Sequence, residues 1–324
     1  MAIVELPIIE AAPQDMHDDT SSGAQQTVLE WRALPHVRKE TIGANVRVGV
    51  VDTTVGDHPW FAGLVSGDEA GEVDGLLLNN YKAGHATFIA GLVLEQAPAA
   101  NVIVRGALGA TGQGPTETVI EKALDLVRCK ESDGSHTIDI LNLSLGCYGT
   151  DTERAQFQEL FDEIWRENDQ LIVVMAAGNR RPDQPGPFYP AAMADHERLV
   201  AVGAACDLAA TEWAEFSNQG PYVTFRVCGV DLISTFLRFT TQSGNPDGRW
   251  AQWGGTSFAT AIVSGMIAAA MRPGDPAMAR TGPEAVADLL GTAARPVSIS
   301  IGAFPPAVDM EIQQVGGESL TVTA

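Results

Sequence analysis

The 324-residue sequence is poor in lysine and cysteine and has no long apolar run, and each scarcity narrows what the chain can do. Lysine stands only at Lys39, Lys82, Lys122 and Lys130, and Lys plus Arg total 20 against 41 Asp plus Glu, a formal charge of -21. So acidic a surface repels nucleic acid and anionic membranes, which argues against both as partners. The four cysteines, Cys129, Cys147, Cys206 and Cys228, lie far apart and form no C-x-x-C pair. Neither a zinc site nor a redox motif follows, and buried free thiols are expected. The first residues, 1–13, carry Glu5 and Glu10, lack a basic n-region and hold too short an apolar run for a secretory signal. No later segment is long and apolar enough to span a bilayer, so the expected location is cytoplasmic, with no membrane partner.

What is present is material for one large core, since 45% of the residues are hydrophobic. Residues 1–27 read as an N-terminal extension, with 11–26 polar and acidic enough for a linker or mobile arm. The ordered domain is expected over 28–315, and 316–324 as a loose tail. Within the domain short apolar runs alternate with helical patterns. Strands are expected at 46–51, 101–106, 138–144, 171–175 and 199–204, and helices at 85–94, 116–128 and 152–167. Continuous apolar strands separated by helices indicate an α/β fold whose mostly parallel sheet is covered by helices on both faces. In such sheets the ligand crevice lies beyond the carboxyl ends of the strands.

The chemistry-bearing residues fall at those ends. Gly254-Gly255-Thr256-Ser257 sets a hydroxyl on a flexible glycine pair where an apolar helix begins, with unpaired N–H groups and a helix dipole able to hold an oxyanion. Asp52 closes the apolar run 46–51, and His85 follows Gly84 at the start of a helix of small residues. Asn179 ends Ala176-Ala177-Gly178-Asn179, just after another strand. Each residue alone has a structural explanation: a helix cap at Thr256 or Ser257, a turn former at Asp52, a cap or core histidine at His85, a left-handed loop residue at Asn179. Together they have the residue types that nucleophilic acyl transfer requires, namely a hydroxyl, a base within its reach, and a carboxylate that fixes the base's tautomer.

In the order Asp, His, Asn, Ser these segments resemble the subtilisin-like serine peptidases, a family known for that chain order. Val48-Gly49-Val50-Val51-Asp52-Thr53, Gly84-His85-Ala86-Thr87-Phe88-Ile89-Ala90-Gly91 and Gly255-Thr256-Ser257-Phe258-Ala259-Thr260 carry the likeness. The resemblance spans roughly residues 41 to 315 and implies a three-layer subtilisin-like fold and an Asp52-His85-Ser257 triad. It also implies that Asn179 donates to the oxyanion. By the same likeness Ser144, Leu145 and Gly146 form one wall of the S1 pocket, Ala176, Ala177 and Gly178 the other, and Gly112 to Gly114 a substrate-pairing edge. Phe188 stands near the S1 base, where a large ring implies a shallow pocket for small apolar P1 residues.

The chain departs from the family pattern at several places. Thr54 replaces a Gly after Asp-Ser/Thr, Ala86 and Phe88 replace Gly and His in the histidine motif, and Ala261 replaces a Pro in the serine helix. None of these positions is asked to move a proton. The expected function is therefore a serine endopeptidase working through an acyl-enzyme on a peptide or protein substrate. The alternatives are a noncatalytic peptide-binding module of the same fold and a peptide ligase or cyclase using the same acyl-enzyme. No cofactor or catalytic metal is implied; the acidic residues Asp68, Glu69, Glu72 and Asp74 leave a structural calcium open, and a regulatory protein partner stays unassigned. Leu6-Pro7-Ile8-Ile9 is expected either to lie in the cleft as an inhibitory strand, with Pro7 hindering cleavage, or to belong to a surface terminus.

Overall fold

The computed structural model describes residues 3–5, 14–15, 41–68, 81–132, 134, 136–179, 186–239, 248–291 and 297–298. Its centre is an eight-stranded sheet. In chain order the strands of the molecule are β1 (Ile3–Glu5), β2 (Gln14–Asp15), β3 (Arg47–Asp52), β4 (Val65–Gly67), β5 (Asn101–Gly106), β6 (Gln113–Pro115), β7 (Ile140–Leu143), β8 (Cys147–Tyr148), β9 (Ile172–Ala176), β10 (Phe188–Tyr189), β11 (Leu199–Ala205), β12 (Val223–Cys228), β13 (Leu232–Phe239), β14 (Gly248–Trp253) and β15 (Val297–Ser298). The main sheet runs β15-β12-β11-β9-β7-β3-β5-β4, and every pairing in it is parallel. Strands buried on both faces need apolar residues at consecutive positions, which is what Val-Gly-Val-Val in β3 and Ile-Val-Val-Met in β9 supply.

The helices are α1 (His85–Gln96), α2 (Thr116–Arg128), α3 (Asp151–Glu167), α4 (Thr256–Met271) and α5 (Gly282–Leu290). In the chain α1 lies between β4 and β5 and α2 between β5 and β7, and both crossovers step the same way along the sheet. α1 packs on α4, and α2 on α3, completing three layers. α1 is buried from His85 through Leu94 and α4 nearly as fully, so neither has a polar face. They cross closely at Gly265, where a Cβ would stand 2.7 Å from the Val93 carbonyl oxygen. α3 and α5, which meet water, carry capping boxes instead, Thr150 with Glu153 and Thr281 with Glu284.

The expected strand 101–106 and helix 116–128 match the observed bounds, and the other expected elements differ from them by one or two residues. The antiparallel hairpin β13-β14 was not anticipated. Two further differences concern the termini and the thiols. Within the stretch 11–26 expected as a linker, Gln14–Asp15 pairs with β14, and β1 pairs antiparallel with β6. The expected domain start near residue 28 and the tail 316–324 lie outside the described residues. Of the cysteines, Cys147 and Cys228 are buried as expected, but Cys206 is exposed and Cys129 half-buried, because β11 and α2 run out to the surface where they end.

Candidate active site

The strand order reverses direction at β3: β5 lies on one side of it and β7 on the other. That topological switch opens a crevice at the carboxyl end of β3, and Asp52 is its last residue. The Asp52 carboxylate accepts the Thr53 backbone N–H at 2.6 Å and faces the His85 Nδ1 at 2.8 and 2.9 Å. The Thr53 hydroxyl stitches the strand end to α1, accepting from the Ala86 N–H at 3.1 Å and donating to the Ala83 carbonyl at 3.2 Å. An imidazole that donates from Nδ1 to a carboxylate leaves the lone pair on Nε2. That Nε2 is buried and has no hydrogen-bond partner. Buried polar atoms are rarely left unsatisfied, so this one stands out from the scaffold around it.

Aromatic side chains enclose the ring. Trp253, from the end of β14, meets His85 edge-on at 5.7 Å, and Phe258 lies 5.2 Å away, backed by Phe88 at 4.5 Å. Sequence reasoning passed over Trp253, although its place four residues before Ser257 puts it beside the site. Asp52, His85 and Ser257 are each 0% exposed, so the site is closed to solvent in this conformation.

Ser257 sits in the first turn of α4, entered through Gly255 at φ 153°, a backbone that residues with side chains rarely adopt. Its hydroxyl donates to the Ser144 carbonyl at 2.9 Å, and the Ser144 hydroxyl returns a bond to the Ser257 carbonyl at 2.9 Å. The structure thus pairs Asp52 with His85 but turns the Ser257 hydroxyl toward Ser144. Asn179 is tied to the same helix start: its Oδ1 accepts from the Thr256 N–H at 3.0 Å and the Thr256 hydroxyl at 2.7 Å. With the oxygen held there, the amide Nδ2 points away from Thr256.

The segments expected to bind substrate converge on the same crevice. Ser144, Leu145 and Gly146 follow β7, and Ala176, Ala177 and Gly178 end or follow β9, the strand beside it. Between them lies Phe188, 1% exposed: a Cβ on Gly146 would collide with its ring, and one on Gly178 would come within 2.8 Å of it. Asn218 braces that wall through a 2.8 Å bond to the Ala177 carbonyl. The third edge, at Gly112 and Gly114, is already engaged: Val4 pairs with Gly114 and Glu5 with Gln113, while β1 also touches β8. Leu6, Pro7, Ile8 and Ile9, the segment expected in the cleft, lie outside the described residues, as do Glu69, Glu72 and Asp74. Asp68 accepts the Gly106 N–H at 3.0 Å and stands 3.7 Å from the Lys122 Nζ. Among the described residues no group of three or more His, Cys, Asp or Glu side chains is arranged to hold a metal, and no helix is long and apolar enough to cross a membrane.

The profile of the subtilase family matches residues 43–314. An intracellular serine protease of Paenibacillus polymyxa is 29% identical over 263 residues, covering 74% of this chain and 71% of that protein. The serine protease AprX of Bacillus subtilis (strain 168) is 29% identical over 258 residues, 70% of this chain and 57% of its own length. A thermophilic serine proteinase of Bacillus sp. (strain AK1) matches at 29%, and the chain spans 51% of it, about half that relative's length. Among solved structures, a cold-adapted subtilisin-like serine proteinase superposes with a TM-score of 0.59 at 21% identity, over 81% of this chain and 88% of that one, which speaks for the fold.

Proposed function

The chain belongs to the subtilase family, and from that premise we propose that it is a serine endopeptidase in which Ser257 attacks the peptide carbonyl. His85 takes the hydroxyl proton at Nε2 and later delivers it to the leaving amine, while Asp52 holds the ring's tautomer and balances the imidazolium. The Asn179 amide and the Ser257 backbone N–H receive the oxyanion at the N-terminus of α4. The observation that carries this reading is the buried Asp52–His85 pair with an unpartnered Nε2. For chemistry to begin, the Ser257 side chain must rotate from the Ser144 carbonyl to His85.

Substrate is proposed to lie as an extended strand between Ser144–Gly146 and Gly112–Gly114, its P1 side chain facing Phe188. A ring packed against both Gly146 and Gly178 leaves room for small apolar P1 residues. Because β1 pairs along the edge that substrate would use, the N-terminal segment competes with substrate, and the closed site is the resting state. The test is hydrolysis of an unstructured protein by wild type and Ser257→Ala. Loss of at least about 10⁴-fold in the variant is expected, and retained hydrolysis would refute the assignment of Ser257.

A further inference from the structure

Behind the substrate walls, α3 and the segment after β10 border a partly open cavity of about 320 Å³, at the lower end of the range that small-molecule sites occupy. Its lining is mixed: Phe161 and Trp165 from α3, Tyr189 from β10 and Met193 supply apolar surface, while Arg154, Gln158, Asp195 and His196 make much of the exposed lining polar. The Trp165 indole is held from several sides: the Arg198 guanidinium lies 4.8 Å over the ring, His196 is 5.0 Å away, and Phe161 stacks at 5.9 Å. Its Nε1–H is buried and has no acceptor. His196 Nδ1 accepts the Arg198 N–H at 3.2 Å, so its proton sits on Nε2, a second donor on the lining.

Two opposite charges, Arg154 and Asp195, also line this cavity, and neither makes an ion pair with the other or with any described residue. Arg154 stands in the first turn of α3, where the dipole favours Asp151 and Glu153 and disfavours a cation. An exposed cation and an exposed anion at the rim of a cavity lined by both polar and aromatic side chains complement a ligand that carries both charges and an apolar group.

We propose that this cavity binds a free apolar α-amino acid, its carboxylate to Arg154, its ammonium to Asp195 and its side chain among Phe161, Trp165, Tyr189 and Met193. Such zwitterions are the smallest end products of peptide hydrolysis. Tyr189 lines the cavity, and Phe188, its neighbour in β10, lies against Gly146 and Gly178. Successive strand residues face opposite sides, so on the peptidase reading above an occupied cavity bears on the floor of the P1 pocket.

Calorimetric titration of full-length Ser257→Ala with L-phenylalanine, N-acetyl-L-phenylalanine and L-phenylalaninamide tests binding without any dependence on catalysis. The free amino acid is expected to bind one site, with each blocked form at least about tenfold weaker. Arg154→Gln and Asp195→Asn, both at exposed positions, are each expected to weaken binding of the free amino acid by a similar factor at unchanged melting temperature. Absence of binding at millimolar amino acid, equal binding of the blocked forms, or affinity unaffected by both substitutions would overturn the proposal. None of these outcomes touches the peptidase assignment, which the hydrolysis assay decides alone.

Discussion

Two carboxylates sit at opposite ends of the same sheet and meet opposite fates. Asp139, just before β7 at the amino end of the sheet, accepts the Arg47 N–H at 2.9 Å, while its own N–H and carbonyl bond to Arg47 and Ile172 at 2.9 and 3.2 Å. It ties the starts of β3, β7 and β9 together, and the Arg47 side chain closes the cluster on the His136 carbonyl at 2.6 Å. Asp52, at the carboxyl end of β3, is satisfied too, but its partner His85 carries an unpaired nitrogen into a closed aromatic pocket. The lesson is that burial of a charge does not separate scaffold from chemistry; where the chain of hydrogen bonds stops does. At Asp139 it ends on backbone, and at Asp52 it ends on a lone pair.

The contrast can be broken from the Asp52 end first. Asp52→Asn keeps shape and burial but presents an N–H to Nδ1, which moves the ring proton to Nε2 and removes the base. The expected loss is about 10⁴-fold in kcat with the fold retained, read by peptide hydrolysis and circular dichroism. A variant within tenfold of wild type would show that the pair is scaffold. Next in size is the pocket between the walls. Phe188→Ala is expected to raise kcat/KM for Phe or Leu at P1 relative to Ala, by roughly tenfold or more in a peptide library. It should also cost about 3–5 kcal/mol of stability, since a fully buried ring is removed. An unchanged P1 profile in the folded variant would remove Phe188 from the specificity determinants.

The smallest effect belongs to Asp139. Burial pushes its carboxyl pKa up, against the opposing pull of the Arg47 N–H and of the charges on Arg47, Arg272 and His136. A carboxyl that holds its proton more tightly when folded favours the fold below its unfolded pKa, and that contribution fades as pH rises through the folded value. Asp139→Asn keeps an acceptor for Arg47 without the buried charge. Urea melts should place it within about 1 kcal/mol of wild type at pH 7, with the variant's standing poorer at pH 4 and activity unchanged. A large activity loss would put chemistry at both ends of the sheet.

Much of this was legible in the sequence because the signals were local. Asp52 closes a run of apolar residues, His85 follows a glycine at a helix start, and Ser257 follows a glycine pair before a helix apolar on every side, so three strand or helix ends were found without coordinates. Partners brought in from far along the chain were not legible. Nothing local to Trp253 says that it closes over His85, 168 positions earlier by the numbering, and the reciprocal bonds between Ser144 and Ser257 join residues 113 apart. The N-terminal pairing was half read. A three-residue strand is too short to show alternation, so the apolar Leu6–Ile9 drew attention while Ile3–Glu5 makes the described pairing with β6.

The claim at the centre is that the Asp52–His85 pair exists to activate Ser257. A fluorophosphonate probe with peptide mapping tests it most directly, applied to the full chain and to a chain lacking residues 1–26. A single adduct is expected, on Ser257, formed faster in the shortened chain because the β6 edge is vacated, and absent in Asp52→Asn on the same timescale. Folded protein that takes no label in either form, or label on another serine, would contradict it.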